Sequence, residues 1–200
     1  MKRLVILLMS FFLIGTGIAL AQDVSTKQSA KEARAAAKEA RQKAKEAEKA
    51  AEEAEEKAMW EEAKAALEAH DFVLEAERVE FKRGTFAYVT PSMNFVSLID
   101  NEATVQLSFN GPFAGPNGVG GITVEGTPSN IKIKTDKKGN INFSMMVQGI
   151  GISAQVSIRM PAGSARCTAT VIPNFHSARV TFTGTLYLSD NSSVFKGRAL

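Results

Sequence analysis

Between Ala30 and Ala65, positions on an alternating three-and-four spacing read Ala30, Ala33, Ala37, Ala40, Ala44, Ala47, Ala51, Ala54, Ala58, Glu61 and Ala65. This is a heptad seam made of the smallest side chain that still favours helix. An isolated alanine stripe buries little apolar area. The segment is therefore either a solvated rod or a helix that a second helix approaches closely. From Thr26 to about Ala69 the chain is almost only Ala, Glu, Lys, Arg and Gln, without proline or glycine. Summed over such a window, propensity predicts a helical arm of about 60 Å, with Ser25 or Thr26 as its cap. Glu39 to Lys43 and Glu53 to Lys57 add favourable pairs four apart.

Charge runs along this arm as a gradient. Lys27, Lys31, Arg34, Lys38, Arg41, Lys43, Lys45 and Lys49 dominate the first half; Glu52, Glu53, Glu55, Glu56, Glu61, Glu62 and Glu68 the second. The order opposes the helix macrodipole, so local helix stability does not explain it. Antiparallel pairing with a second copy would, since basic then faces acidic. A single spacer helix and a basic half lying on an anionic envelope surface are the other two readings. Large apolar groups first appear at Met59, Trp60 and Leu67, with Met59, Ala63, Ala66 and His70 sharing one face. These turns are expected to dock on the following domain; Trp60 as a ligand-stacking residue is the sharper alternative.

The first residues read as a leader. Lys2 and Arg3 precede an apolar run from Leu4 to Ile14, and Ala19-Leu20-Ala21 is a small-x-small cleavage site. Residues 1–21 are expected to be a signal peptide cleaved before Gln22, the alternative being a retained membrane anchor. No cysteine lies near the site, which argues against a lipid-anchored form. The expected address is outside the cytosol: periplasmic, outer-membrane-associated or secreted, with no transmembrane segment left after processing. Losing Lys2 and Arg3 takes the formal charge from +3 to +1, too little for a nucleic-acid footprint. Cys167 is the only cysteine, so stability must come from a core rather than from a disulfide. A buried, inert thiol in a strand is its expected role.

Composition shifts at His70, and residues 70–200 carry period-two alternation. Ala103, Val105, Leu107 and Phe109 oppose Thr104, Gln106, Ser108 and Asn110. Ile141, Phe143, Met145 and Val147 form a second dry face, Ile150 to Met160 a third, and Val180 to Leu188 a fourth. Asp136-Lys137-Lys138-Gly139-Asn140 predicts a hairpin loop, and Pro161 to Ser164 ends a strand. The expectation is mainly β with a long N-terminal α-helix: about ten short strands in an antiparallel β-sandwich or half-open barrel, after an arm at residues 22–69.

Chemistry-bearing motifs are thin. Gly149 to Ala154 fits a dinucleotide fingerprint, but strand alternation runs through it where a helix should open, so it is rejected. The Gly/Pro-rich stretch from Asn110 to Gly121 is a long loop, with Phe113 and Asn117 as its candidate binding residues. His70 and His176 lack ligand spacing, so no metal or cofactor is expected. A Cys167–His176 nucleophile pair lacks an activating neighbour. Asp71, Glu75, Glu77, Glu80, Asp100, Glu102 and Glu125 sit mostly at strand ends or on wet faces, and two could meet as a glycosidase pair.

Phe81-Lys82-Arg83-Gly84-Thr85, Asn110-Gly111-Pro112-Phe113, Gly120 to Gly126, Asp136 to Asn140 and Val194-Phe195-Lys196-Gly197 together resemble the domain of unknown function 4251. The likeness covers about Ala69 to Leu200 and leaves the arm outside. It implies export from a gut-type Gram-negative bacterium and an antiparallel β fold, and it brings no activity. The expected function is a non-enzymatic exported envelope protein, a β module on a helical spacer that binds a small apolar ligand, a glycan or a protein. A secreted hydrolase using groups such as Glu125 and His176 is the alternative.

Overall fold

The computed structural model describes residues 22–109, 118, 120–150, 152–174 and 178–199, with side chains from residue 34 onward except that of Ile152. Two compact units divide after Ala50, at residues 1–50 and 51–200. The helix α1 runs Gln22–Ala69. In the first unit its described side chains, 34–50, are all exposed, and Glu39 pairs with Lys43 at 2.8 Å as the spacing predicts.

In the second unit the last turns of α1 are amphipathic. Ala63, Ala66 and Leu67 are fully buried, and Trp60 packs half-buried against the same core. The buried stripe is thus centred on Trp60, Ala63 and Leu67; Met59 lies at its rim, 36% exposed, and His70 is exposed. The helix ends in a Schellman motif: the His70 N–H donates to the Leu67 carbonyl and the Asp71 N–H to that of Ala66. His70 holds the left-handed position of that motif at φ 59°. A side chain there costs about 1 kcal/mol, so His70→Gly should raise stability by several tenths of a kcal/mol in urea denaturation, less the loss of the ring's edge contact with Phe143.

Nine strands follow: β1 (Phe72–Phe81), β2 (Phe86–Tyr88), β3 (Phe95–Ile99), β4 (Glu102–Ser108), β5 (Gly121–Thr135), β6 (Ile141–Gly149), β7 (Ile152–Met160), β8 (Arg166–Pro173) and β9 (Val180–Leu188). All pairings are antiparallel, and β1 also pairs with β9 from Phe72↔Leu188 to Phe81↔Val180. That ladder closes an eight-strand barrel, with β2 as an added hairpin strand on β1. Of the two expected forms, the sandwich is corrected and the half-open barrel agrees in part: the inner positions face one another around a closed ring, and the short β2 keeps one unpaired edge. Strand β5 makes the corner. Its first half pairs with β4 and its second with β6, and a bulge between Ser129 and Lys132, with Asn130 at φ 52°, bends it.

The interior is filled by side chains. Phe72, Leu74, Phe143, Met145, Ile158, Phe182 and Leu186 are at most 2% exposed and form one cluster with the helix residues. Phe72 meets Phe143 edge-to-face at 5.2 Å and 80°. Cys167 lies in this core, where burial pushes its thiol far above the ordinary range, so no thiolate is available.

Two readings of wet and dry faces change. Thr104, Gln106 and Ser108 lie on the outer face as the alternation predicts, yet they are buried, together with Val73, Phe95, Ser97 and Thr123. The segment after β9 covers them. The Phe195 N–H donates to the Ser92 carbonyl, and Ser192 Oγ donates to Glu75. Gln106 is the hub. Its Nε2 donates to the carbonyls of Met93 (3.0 Å) and Phe195 (2.8 Å), while its Oε1 accepts from Thr123 Oγ1 (2.7 Å) and the Gly197 N–H (2.8 Å). Four bonds use the whole capacity of the amide, which is why it tolerates complete burial. The second change lies at Gly149 to Ala154. Gly149 pairs directly with Ile152, so the chain reverses there instead of running on as one strand. Gly149 is required for a different reason: a Cβ would collide with the Glu125 carbonyl of β5.

Candidate binding groove

The outer face of β5 to β8 carries a groove of about 620 Å³. Register builds it. The Asp136–Asn140 turn sets Lys134 opposite Asn142 and Lys132 opposite Ser144. The β6–β7 hairpin then sets Arg159 beside Asn142 and Ser157 beside Ser144, and β8 adds Thr168 and Thr170. One cross-strand row thus reads Lys134, Asn142, Arg159, Thr168, and the next Lys132, Ser144, Ser157, Thr170. Adjacent strands lie about 4.8 Å apart and same-face neighbours along a strand about 7 Å. Three cations therefore fall within roughly 12 Å of one another on a surface otherwise lined by hydroxyls and amides, with Phe143 and Ile158 beneath them.

The turn that sets the register is tightly made. Asp136 Oδ1 accepts from the backbone N–H groups of Lys138 and Asn140, and Oδ2 from Asn140 Nδ2. The Asn140 amide bond holds the Asp136 carboxyl below the usual carboxylate range, with Arg159 adding a smaller pull. Asp136 is thus committed to its own turn. Lys132, Lys134 and Arg159 make no salt bridge to any described carboxylate.

Several carboxylates elsewhere on the barrel are already engaged, although Asp71 Oδ1 is buried without a hydrogen-bond partner. Arg78 pairs with Glu80 and Arg166 with Glu77, each at 2.7 Å. Lys196 lies between Glu125 (2.6 Å) and Glu102 (3.4 Å), and the hydrogen bond to Glu125 is the main reason its pKa is raised. Glu102 and Glu125 thus share the Lys196 ammonium group, which holds them as an ion-paired cluster rather than as a free acid and base. Among the described residues no group of three or more His, Cys, Asp or Glu could hold a metal ion. No described helix is long and apolar enough to cross a membrane.

The residues singled out from sequence fall in different places. Phe113, Asn117 and His176 lie outside the described residues. Trp60 sits against the core with Lys64 over its ring at 5.7 Å, and Leu67 is in the core itself. Neither Trp60 nor Leu67 enters the groove. Its cations had a partial signal: Lys132 and Lys134 share a strand face next to a recognisable hairpin turn. Arg159 joins them only through the second hairpin.

Residues 53–186 match the model of the family described as domain of unknown function DUF4251, which begins inside α1 and so includes its last turns. The crystal structure of a DUF4251 family protein from Bacteroides eggerthii DSM 20697 is 47% identical, with a TM-score of 0.62, over 74% of this chain and 99% of that one. No curated protein matches. With two thirds of its length matched to the family model and 47% identity to a solved member across 74% of the chain, the chain belongs to the DUF4251 family.

Proposed function

We propose that this chain is a non-enzymatic exported envelope protein whose barrel acts as a binding module on a helical spacer, and that it binds with the outside of the barrel. One observation carries the reading. The interior is packed with large side chains and the end of α1, while the β5–β8 face presents an open groove with unspent cations. Small barrels that hold a ligand inside need room there, and this one spends that room on Phe72, Phe143 and Phe182. The engaged carboxylates and the inert Cys167 count against the hydrolase reading. Export rests on the leader at residues 1–21.

The test uses the full chain expressed in a Gram-negative host. It should be recovered outside the inner membrane, and protein-stripped envelope material should retain it. Ser157→Trp fills the groove from an outward-facing position, so it should leave the unfolding free energy in urea within about 0.5 kcal/mol of the parent and abolish retention. Unchanged retention by this variant would remove the groove from the proposal.

A further inference from the structure

We infer that the groove takes an acidic polysaccharide, a chain whose hydroxyls meet Asn142, Ser144, Ser157, Thr168 and Thr170 and whose carboxylate or sulfate groups meet Lys132, Lys134 and Arg159. The inference rests on the groove being the binding surface. Its first support is charge accounting. Arg78, Arg166 and Lys196 each have a carboxylate within 2.7 Å, whereas the three groove cations have none. No Asp or Glu lines the groove. These exposed like charges repel weakly through solvent, Asp136 offsets only Arg159 and only in part, and an anion joining the cluster would be favoured by all three.

The second support is the rest of the lining. Beyond the cations, and apart from Phe143 and Ile158, it offers hydroxyls and side-chain amides, which both donate and accept, as sugar hydroxyls do. A bilayer surface would call for a protruding apolar wedge on a flat or convex patch, and this surface is a groove with cations and hydroxyls along it. Single-stranded nucleic acid would call for aromatic platforms. Phe143 is the aromatic residue at the groove, and its ring points into the core at 1% exposure. Spacing fits a polymer better than a single small anion. Lys132 and Lys134 stand about 7 Å apart along a strand, with Arg159 two strands away, so each can meet a separate charge.

The experiment measures binding of the full chain to polygalacturonate, dextran sulfate and neutral dextran by affinity electrophoresis. Phosphatidylglycerol vesicles and single-stranded DNA serve as further arms. The arm carries its own cations, so the readout is the difference between the parent and two variants. These are the triple substitution Lys132→Gln, Lys134→Gln, Arg159→Gln, and Ser157→Trp. The expected result is binding to one or both acidic polymers and not to dextran. The triple variant should weaken it about tenfold or more, Ser157→Trp should abolish it, and added salt should reduce it. Dextran bound equally by parent and triple variant, but lost in Ser157→Trp, would overturn the acidic ligand and leave the groove standing. Acidic polymers bound unchanged by both variants would overturn ligand and groove together. Vesicles or DNA held through the same three cations in preference to either polysaccharide, or no binding at all, would overturn the ligand class.

Discussion

Phe143→Ala should destabilise the barrel by about 3–5 kcal/mol and lower its melting temperature by roughly 10 °C. Phe143 is 1% exposed and sits where β6 meets the helix end. Its ring takes the edge-to-face contact of Phe72 at 5.2 Å and the looser edge of His70 at 6.2 Å. Truncation removes the buried ring and leaves a void between groups fixed by two different elements. The β6 backbone is hydrogen-bonded on both sides, to β5 and β7, so it cannot collapse inward to fill the gap. Urea denaturation checks this: the midpoint should fall with the slope unchanged. A loss under about 1 kcal/mol would mean that this part of the core is not tightly packed. Because Asn142 and Ser144 flank Phe143 on the same strand, the substitution should also weaken groove binding, through the floor rather than through any contact with ligand.

Gln106→Leu should cost on the order of 3 kcal/mol, although leucine is more apolar and nearly as large. The substitution strips an acceptor from Thr123 Oγ1 and the Gly197 N–H, and a donor from the carbonyls of Met93 and Phe195. Each polar group left buried without a partner costs about 1–3 kcal/mol, offset where water can enter. Water enters most readily by lifting the segment after Ser192, so much of the loss should appear as release of that segment. Limited trypsin digestion followed by intact-mass measurement reads it directly. Cleavage after Lys196 should be at least tenfold faster in the variant, while cleavage within β6–β7 stays unchanged. Equal rates at Lys196 would show that Glu75, Glu102 and Glu125 hold the segment without the amide.

Periodicity in the sequence was sufficient for the class of fold and for most strand faces, because inner positions on β6, β8 and β9 are strictly apolar. It could not distinguish a sandwich from a barrel. That choice depends on β1 meeting β9, and no local pattern records a pairing between residues more than a hundred apart. Thr104, Gln106 and Ser108 read as a wet face because alternation reports polarity, and polarity matches exposure only when nothing covers it. Their cover comes from the other end of the chain. At Gly149 the alternation misled by parity. The reversal between Gly149 and Ile152 moves the inward set from odd positions (Met145, Val147) to even ones (Ala154, Val156), and Ile150, even and apolar although 85% exposed, makes the second run read as if it began before the turn. This error also hid the groove. Arg159 reaches Lys134 only if β7 folds back on β6, so the cluster had no signature in a linear reading. Leu67 and Trp60 were legible because bulky groups interrupt an alanine run, and the exposure of Met59 shows the limit of helical-face counting at the rim.

The seam between β1 and β9 has a consequence for how the protein is made. The first strand of the domain finds its final neighbour only when the last strand emerges, and the Gln106 hub waits longer still, for Gly197. A nascent chain therefore cannot close its barrel before β9 has been synthesised. A product cut short before β9 would keep two open sheet margins and should be removed by proteases rather than accumulate.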